Sequence, residues 1–256
     1  MQPREARTTS KRIFSFATTL AVLFAATSLT APRAAYAAVI EIDFSEFLGA
    51  ASKGGRISPH LDATPGRPVV VDAYYKNAFG TYVQDQNTFL FVRNDGANDQ
   101  GLGVCSPGEL SVTSACGGGT FNGGGGDWNE LSNESKPELI RLTLASGFWE
   151  SVFVSSLDTH EAGQLWGSNA DELNGGLGDL LWSFSSDDYS DENVEFALTG
   201  NDAHLQYLYF IPGPTGSDND YLVWKVRVDP VPEPGTIMLV GIALAGLGFA
   251  RRRKPH

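Results

Sequence analysis

The sequence predicts an all-β fold for residues 38–229, a β-sandwich of jelly-roll-like type. Three observations predict it. Nine short runs rich in β-branched and aromatic residues are separated by Gly, Asn, Asp and Pro. Several runs alternate apolar and polar residues, the period-2 mark of a strand with one buried face. No long amphipathic helix interrupts them outside the two ends. Many short strands with turn-rich breaks point to a sandwich, with a barrel as the alternative closure.

Taken in order, the runs are these. Residues 39–44 (VIEIDF) alternate between apolar and acidic side chains. Residues 69–75 (VVVDAYY) and 88–93 (TFLFVR) are dense in Val, Tyr and Phe, the residues that fit a pleated, half-buried surface. Residues 139–144 (LIRLTL) and 149–155 (WESVFVS) follow across a short break at Ala145–Ser146–Gly147. Residues 180–185 (LLWSFS), 194–199 (VEFALT) and 205–211 (LQYLYFI) repeat the pattern. The last run, 221–228 (YLVWKVRV), puts Leu222, Trp224, Val226 and Val228 on one side and Val223, Lys225 and Arg227 on the other.

Charge narrows the partners. The chain has 256 residues and a formal net charge of −12, but residues 38–229 hold 28 Asp and Glu against 9 Lys and Arg, a balance of −19. Such a surface repels nucleic acid, whose binding depends on basic side chains neutralising phosphates. It favours solubility and attracts divalent cations or basic partners.

The two ends read as targeting segments. A basic head (MQPREARTTSKR), an apolar run (13–29) and the small-residue stretch APRAAYAA make residues 1–37 a secretory signal peptide. Ala35 and Ala37 frame an A-x-A cleavage site, which makes Ala38 the new N-terminus. An uncleaved anchor is the alternative. Ser10 to Phe14 is close to a twin-arginine signal, but Lys11 stands for the first arginine, so general secretion is preferred. At the other end, residues 235–250 (GTIMLVGIALAGLGFA) carry no charge. As a helix they reach about 24 Å, short of the ~30 Å hydrocarbon core yet able to span it with local thinning. Arg251, Arg252, Arg253 and Lys254 should stay cytoplasmic, leaving the body outside. A buried core helix, the alternative, accounts for neither the missing polar face nor the arginines. Pro232 and Pro234, on either side of Glu233, hold the preceding linker extended and accessible.

The ordered set of Pro232-Glu233-Pro234, an apolar helix at 235–250 and the basic tail 251–256, behind an N-terminal signal, resembles a PEP-CTERM sorting signal spanning 230–256. The resemblance implies export by a Gram-negative bacterium that makes extracellular polysaccharide. It also implies cutting near the tripeptide by exosortase, a membrane-embedded cysteine protease or transpeptidase. The body is similar to domains found ahead of this signal in its VVVDAYY strand, Gly101-Leu102-Gly103-Val104, Asn129-Glu130-Leu131 and Glu138-Leu139-Ile140. The insertion holding Cys105, Cys116 and the glycine runs departs from them.

Candidate chemistry is sparse. Cys105 and Cys116, the only cysteines, are placed to form a disulfide after export. The glycine run 117–129 lacks the Gly-Lys-Ser/Thr end of a phosphate loop and reads as a surface loop. Asp218 and Asp220, before the last strand, are weak calcium candidates, set against solvated turns. Asp158 and His160 suit a turn better than an oriented base, and no GxSxG elbow is present. Trp128, Trp149, Trp166 and Trp182 are available for stacking on sugars, though large aromatics are more often core.

The expectation is a non-enzymatic, exported envelope or matrix protein without a cofactor. Its partners are signal peptidase and exosortase during processing, the membrane before cleavage, and extracellular polysaccharide afterwards. It is tethered at the inner membrane and then released to the cell surface, where it plays a structural or adhesive part in a polysaccharide-rich layer or biofilm. A carbohydrate-binding module is the alternative, and a secreted glycan hydrolase a more distant one.

Overall fold

A computed structural model describes residues 38–48, 54–62, 68–94, 96, 99–107, 130–133, 136–158, 160–186, 193–214 and 219–230. These lie in the unit Ala38–Val231. The strands are β1 (Ile40–Asp43), β2 (Gly54–Ile57), β3 (His60–Asp62), β4 (Val69–Lys76), β5 (Tyr82–Val83), β6 (Phe89–Asn94) and β7 (Gln100–Cys105). They continue as β8 (Glu138–Leu144), β9 (Phe148–Ser155), β10 (Ala162–Ser168), β11 (Asp179–Ser185), β12 (Val194–Ala197), β13 (Tyr207–Pro212) and β14 (Leu222–Asp229). Among the described residues the longer helical pieces are two 3-10 turns, Phe44–Leu48 and Asp202–His204.

Among these residues the strands form two antiparallel sheets. One runs β12-β9-β14-β7-β6-β2 with β1 also on β14, and the other runs β11-β10-β13-β8-β4-β3 with β5 on β4. The all-β, two-sheet sandwich predicted from alternation is therefore observed. Alternate side chains of both sheets enter one shared core, including Val92, Leu102, Val152 and Val226 from the first and Val71, Leu142, Leu165 and Phe210 from the second. Trp149 is buried within it, its indole N–H donating to the Leu205 carbonyl at 2.8 Å. A buried Trp needs such an acceptor for its one donor.

The last strand departs from simple alternation. The register shifts between Val223 and Lys225, a β-bulge at Trp224. Tyr221 and Val223 therefore face the core before the bulge, and Val226 and Val228 after it. Trp224 emerges on the outer side with Lys225, whose ammonium lies 4.1 Å from its ring. Strict alternation groups Trp224 with Val226 and Val228 on one side, and the bulge separates them. β7 is also unusual. Gly101 holds φ +141°, and a Cβ there would sit 2.6 Å from the Val223 carbonyl oxygen. Only glycine lets β14 approach β7 so closely at that point.

Residues 1–37, read from the sequence as a signal peptide with Ala35 and Ala37 at its cleavage site, lie outside the described residues, as do residues 235–250. Among the described residues no helix is long and apolar enough to cross a membrane.

Candidate functional site

Three acidic residues far apart in sequence meet at one place. Glu130 opens the segment 130–133, which is strapped to the approach to β14. Leu131 N–H donates to the Tyr221 carbonyl at 2.8 Å, and Asn133 N–H to the Asn219 carbonyl at 3.3 Å. This brings Glu130 beside Asp220, both 1% exposed. Glu161, 6% exposed, enters from the turn before β10 and its carboxyl is hydrogen-bonded to Asp220. Glu161 also accepts the Asp158 N–H. Glu130 accepts from the Arg93 guanidinium and, at 2.9 Å, from the Ser156 hydroxyl. Arg93 also reaches Asp99 at 2.6 Å.

Two carboxyl groups in contact in a dry site do not both ionise readily. Burial pushes Glu161 well above the usual carboxylate range, and the hydrogen bond to Asp220 and the charge of Asp220 add to it. Glu130 adds a smaller push, while the Asp158 N–H acts the other way. Chemically the pair holds a proton between two oxygens. A carboxyl whose native pKa is raised favours folding below its unfolded value, near 4.3, and that contribution is lost as pH rises toward the native one. Glu161→Gln keeps a donor toward Asp220 without the titration. It should flatten the fall in melting temperature between about pH 5 and pH 9, read by calorimetry across that range. An unchanged slope would show that Glu161 does not titrate with folding.

Of the calcium candidates, Asp218 lies outside the described residues and Asp220 is engaged with Glu161. Among the described residues no group of three or more His, Cys, Asp or Glu side chains is arranged to hold a metal ion. Cys105 ends β7 and is fully buried, while Cys116 and the glycine run lie outside the described residues. Asp158 and His160 form a turn. Glu161 N–H donates to the Asp158 carbonyl at 3.1 Å, and His160 takes φ +76°.

The tryptophans divide. Trp149 is core, and Trp182 packs on Phe196 with ring centroids 5.5 Å apart. Trp128 lies outside the described residues. Trp166 lies on the outer face of the second sheet, its N–H donating to Gln164 at 3.1 Å. That face carries a row set by register: Asp72 opposite Arg141, Arg141 opposite Tyr209, Tyr209 opposite Trp166. Arg141 pairs with Asp72 and Asp171 at 2.8 Å each, and its guanidinium lies 5.2 Å from the Tyr74 ring and 5.7 Å from Tyr207. Glu172 N–H donates to the Tyr209 hydroxyl at 3.1 Å, so the segment after β10 straps the centre of the face. Asn174 brackets Tyr82 on β5 through both its backbone groups. Burial pushes the Tyr82 hydroxyl up to about 12.

Glu130 stands in the sequence only within the Asn129-Glu130-Leu131 resemblance, and neither it nor Glu161 is marked there as a site residue. Their partners come from positions 31 and 59 residues further along, through tertiary contacts. Pro232, Glu233, Pro234 and the basic residues Arg251, Arg252, Arg253 and Lys254 lie outside the described residues.

Comparison with known proteins bears on that C-terminal segment. Residues 230–254 match the family model for the PEP-CTERM protein-sorting motif. No curated protein matches the chain. The match covers the tripeptide, the apolar stretch and the basic end, the three parts read from the sequence. The chain carries a PEP-CTERM protein-sorting motif at residues 230–254, the signal of the exosortase export pathway.

Proposed function

We propose that the chain is a non-enzymatic envelope or matrix protein with a structural or adhesive role in a polysaccharide-rich surface layer. The observation that carries this reading is the sorting motif at 230–254, joined to an all-β body. The apolar stretch 235–250 holds the precursor in the inner membrane, oriented by its basic tail. Exosortase then cuts near Pro232-Glu233-Pro234 and frees the body. The −19 balance of residues 38–229 keeps the released body soluble.

A Cys105–Cys116 bridge belongs to this reading. Export provides the oxidising surroundings, and no free thiol stands among the described residues. A loop of that size would contribute about 3 kcal/mol by constraining the unfolded chain.

Fractionation of the producing bacterium tests the role. The mature protein should co-purify with the extracted surface polysaccharide, and in a strain lacking exosortase it should stay with the membranes. Recovery as free protein in the medium from both strains would contradict the reading.

A further inference from the structure

The β4–β5 turn displays a phenyl ring that the fold does not use. Phe79 is 93% exposed, while the next most exposed large apolar side chains reach 46%. The turn is held firmly. Asn77 Oδ1 accepts N–H groups from Phe79 at 2.9 Å and Thr81 at 3.1 Å. Asn77 N–H donates to the Thr81 carbonyl and Gly80 N–H to the Asn77 carbonyl, both at 2.9 Å. Gly80, at φ +79°, takes the left-handed position that the turn requires. The ring is thus presented on a braced hairpin.

The cations beside it sit over aromatic rings, as Arg56 does over Phe89 at 4.9 Å on the other sheet. Arg93, Arg141, Lys225 and Arg227 are each tied to carboxylates. Lys76 instead lies 5.4 Å from the Tyr82 ring and Lys136 4.6 Å from the Tyr75 ring, with no ion-pair partner among the described residues. The nearby carboxylate, Asp85, accepts from the Tyr75 hydroxyl at 2.9 Å and the Asn87 N–H at 2.8 Å, and the Lys136 charge reaches it at longer range without a direct ion pair. An exposed ring and two ammonium groups therefore share one end of a body whose balance is −19.

We propose that this hairpin end binds an acidic glycan chain. The Phe79 ring takes the C–H face of a pyranose unit, and Lys76 and Lys136 take its carboxylates. Charge complementarity selects this occupant over a membrane. A planar anionic bilayer would face much of the acidic body, whereas a thin glycan chain meets only the local charges, because screening confines them to about 8 Å at physiological salt. The inference rests on the matrix role proposed above and names the ligand class for it.

Affinity electrophoresis of the full chain in mild non-ionic detergent tests it, with polygalacturonate, dextran or no polymer in the gel. Polygalacturonate should retard the wild type and dextran should not. Phe79→Ala should weaken retardation at least tenfold, with an unchanged melting temperature because the ring packs on nothing that folding needs. Lys76→Gln with Lys136→Gln should weaken it several-fold and reduce its salt dependence. The proposal is overturned by equal retardation in dextran, by wild-type retardation of Phe79→Ala, or by Phe79-dependent flotation with phosphatidylserine vesicles in place of glycan binding. If the protein co-purifies with surface polysaccharide while Phe79→Ala is silent, the hairpin proposal fails and the matrix role stands.

Discussion

Arg93→Met is expected to destabilise the body by about 3–5 kcal/mol, the cost of stranding a buried charge. The Arg93 side chain is 12% exposed and that of its partner Glu130 only 2%. Arg93 also meets Asp99, and Glu130 neighbours the Glu161–Asp220 pair. In the ion pairs that Glu130 and Asp99 make with it, Arg93 supplies the cation, so its removal leaves Glu130 desolvated and facing like charge. Met approximates the length of the lost stem and keeps the volume loss small. For a domain of this size the melting temperature should fall by roughly 6–20 °C, read by calorimetry. Arg93→Met combined with Glu130→Gln should recover part of the loss, since the second change removes the stranded charge. Equal melting temperatures for wild type and Arg93→Met would show that the acidic end does not depend on this pair.

A larger effect, close to all-or-none, is expected from replacing Pro232, Glu233 and Pro234 with alanine. Alanines favour helix where prolines forbid it, so the membrane segment can extend upward and withdraw the cleavage region into regular structure. The charged side chain that marks the site is lost as well. The precursor should then accumulate in the membrane fraction and disappear from the cell surface, as judged by immunoblot of fractions. A variant that reaches the surface like wild type would show that the tripeptide does not direct processing.

The strands that sequence revealed and those it hid differ for a physical reason. Runs such as 69–75 and 139–144 are marked by β-branched and aromatic residues, and they became β4 and β8. β7 (QGLGVC) and β10 (AGQLWGS) contain glycines, which weaken a strand taken alone. Their reason lies in the partner. A Cβ on Gly163 would fall 2.4 Å from the Phe184 ring and 2.6 Å from that of Tyr221. The rings occupy the space the glycine leaves, so the strand is stabilised by a neighbour that no local window contains. The short strands β2, β3 and β5 were missed because two to four residues carry too little pattern.

The acidic site was legible only at Asp220. Its companions Glu130 and Glu161 are ordinary surface-type residues until the 130–133 segment is pinned beside Tyr221 and Asn219. The Trp224 bulge was hidden for a similar reason, since one extra residue in a strand reverses the side-chain parity without altering composition. The sorting motif was fully legible because its physics is local and one-dimensional: a stiff linker, an apolar length and a cationic end.

Intact mass spectrometry of the protein recovered from the cell surface bears most directly on the sorting account. A mature chain that begins at Ala38 and ends near Pro232–Pro234, without Arg251 to His256, is the predicted result. Recovery from the surface of a chain that still carries its arginine tail would contradict it.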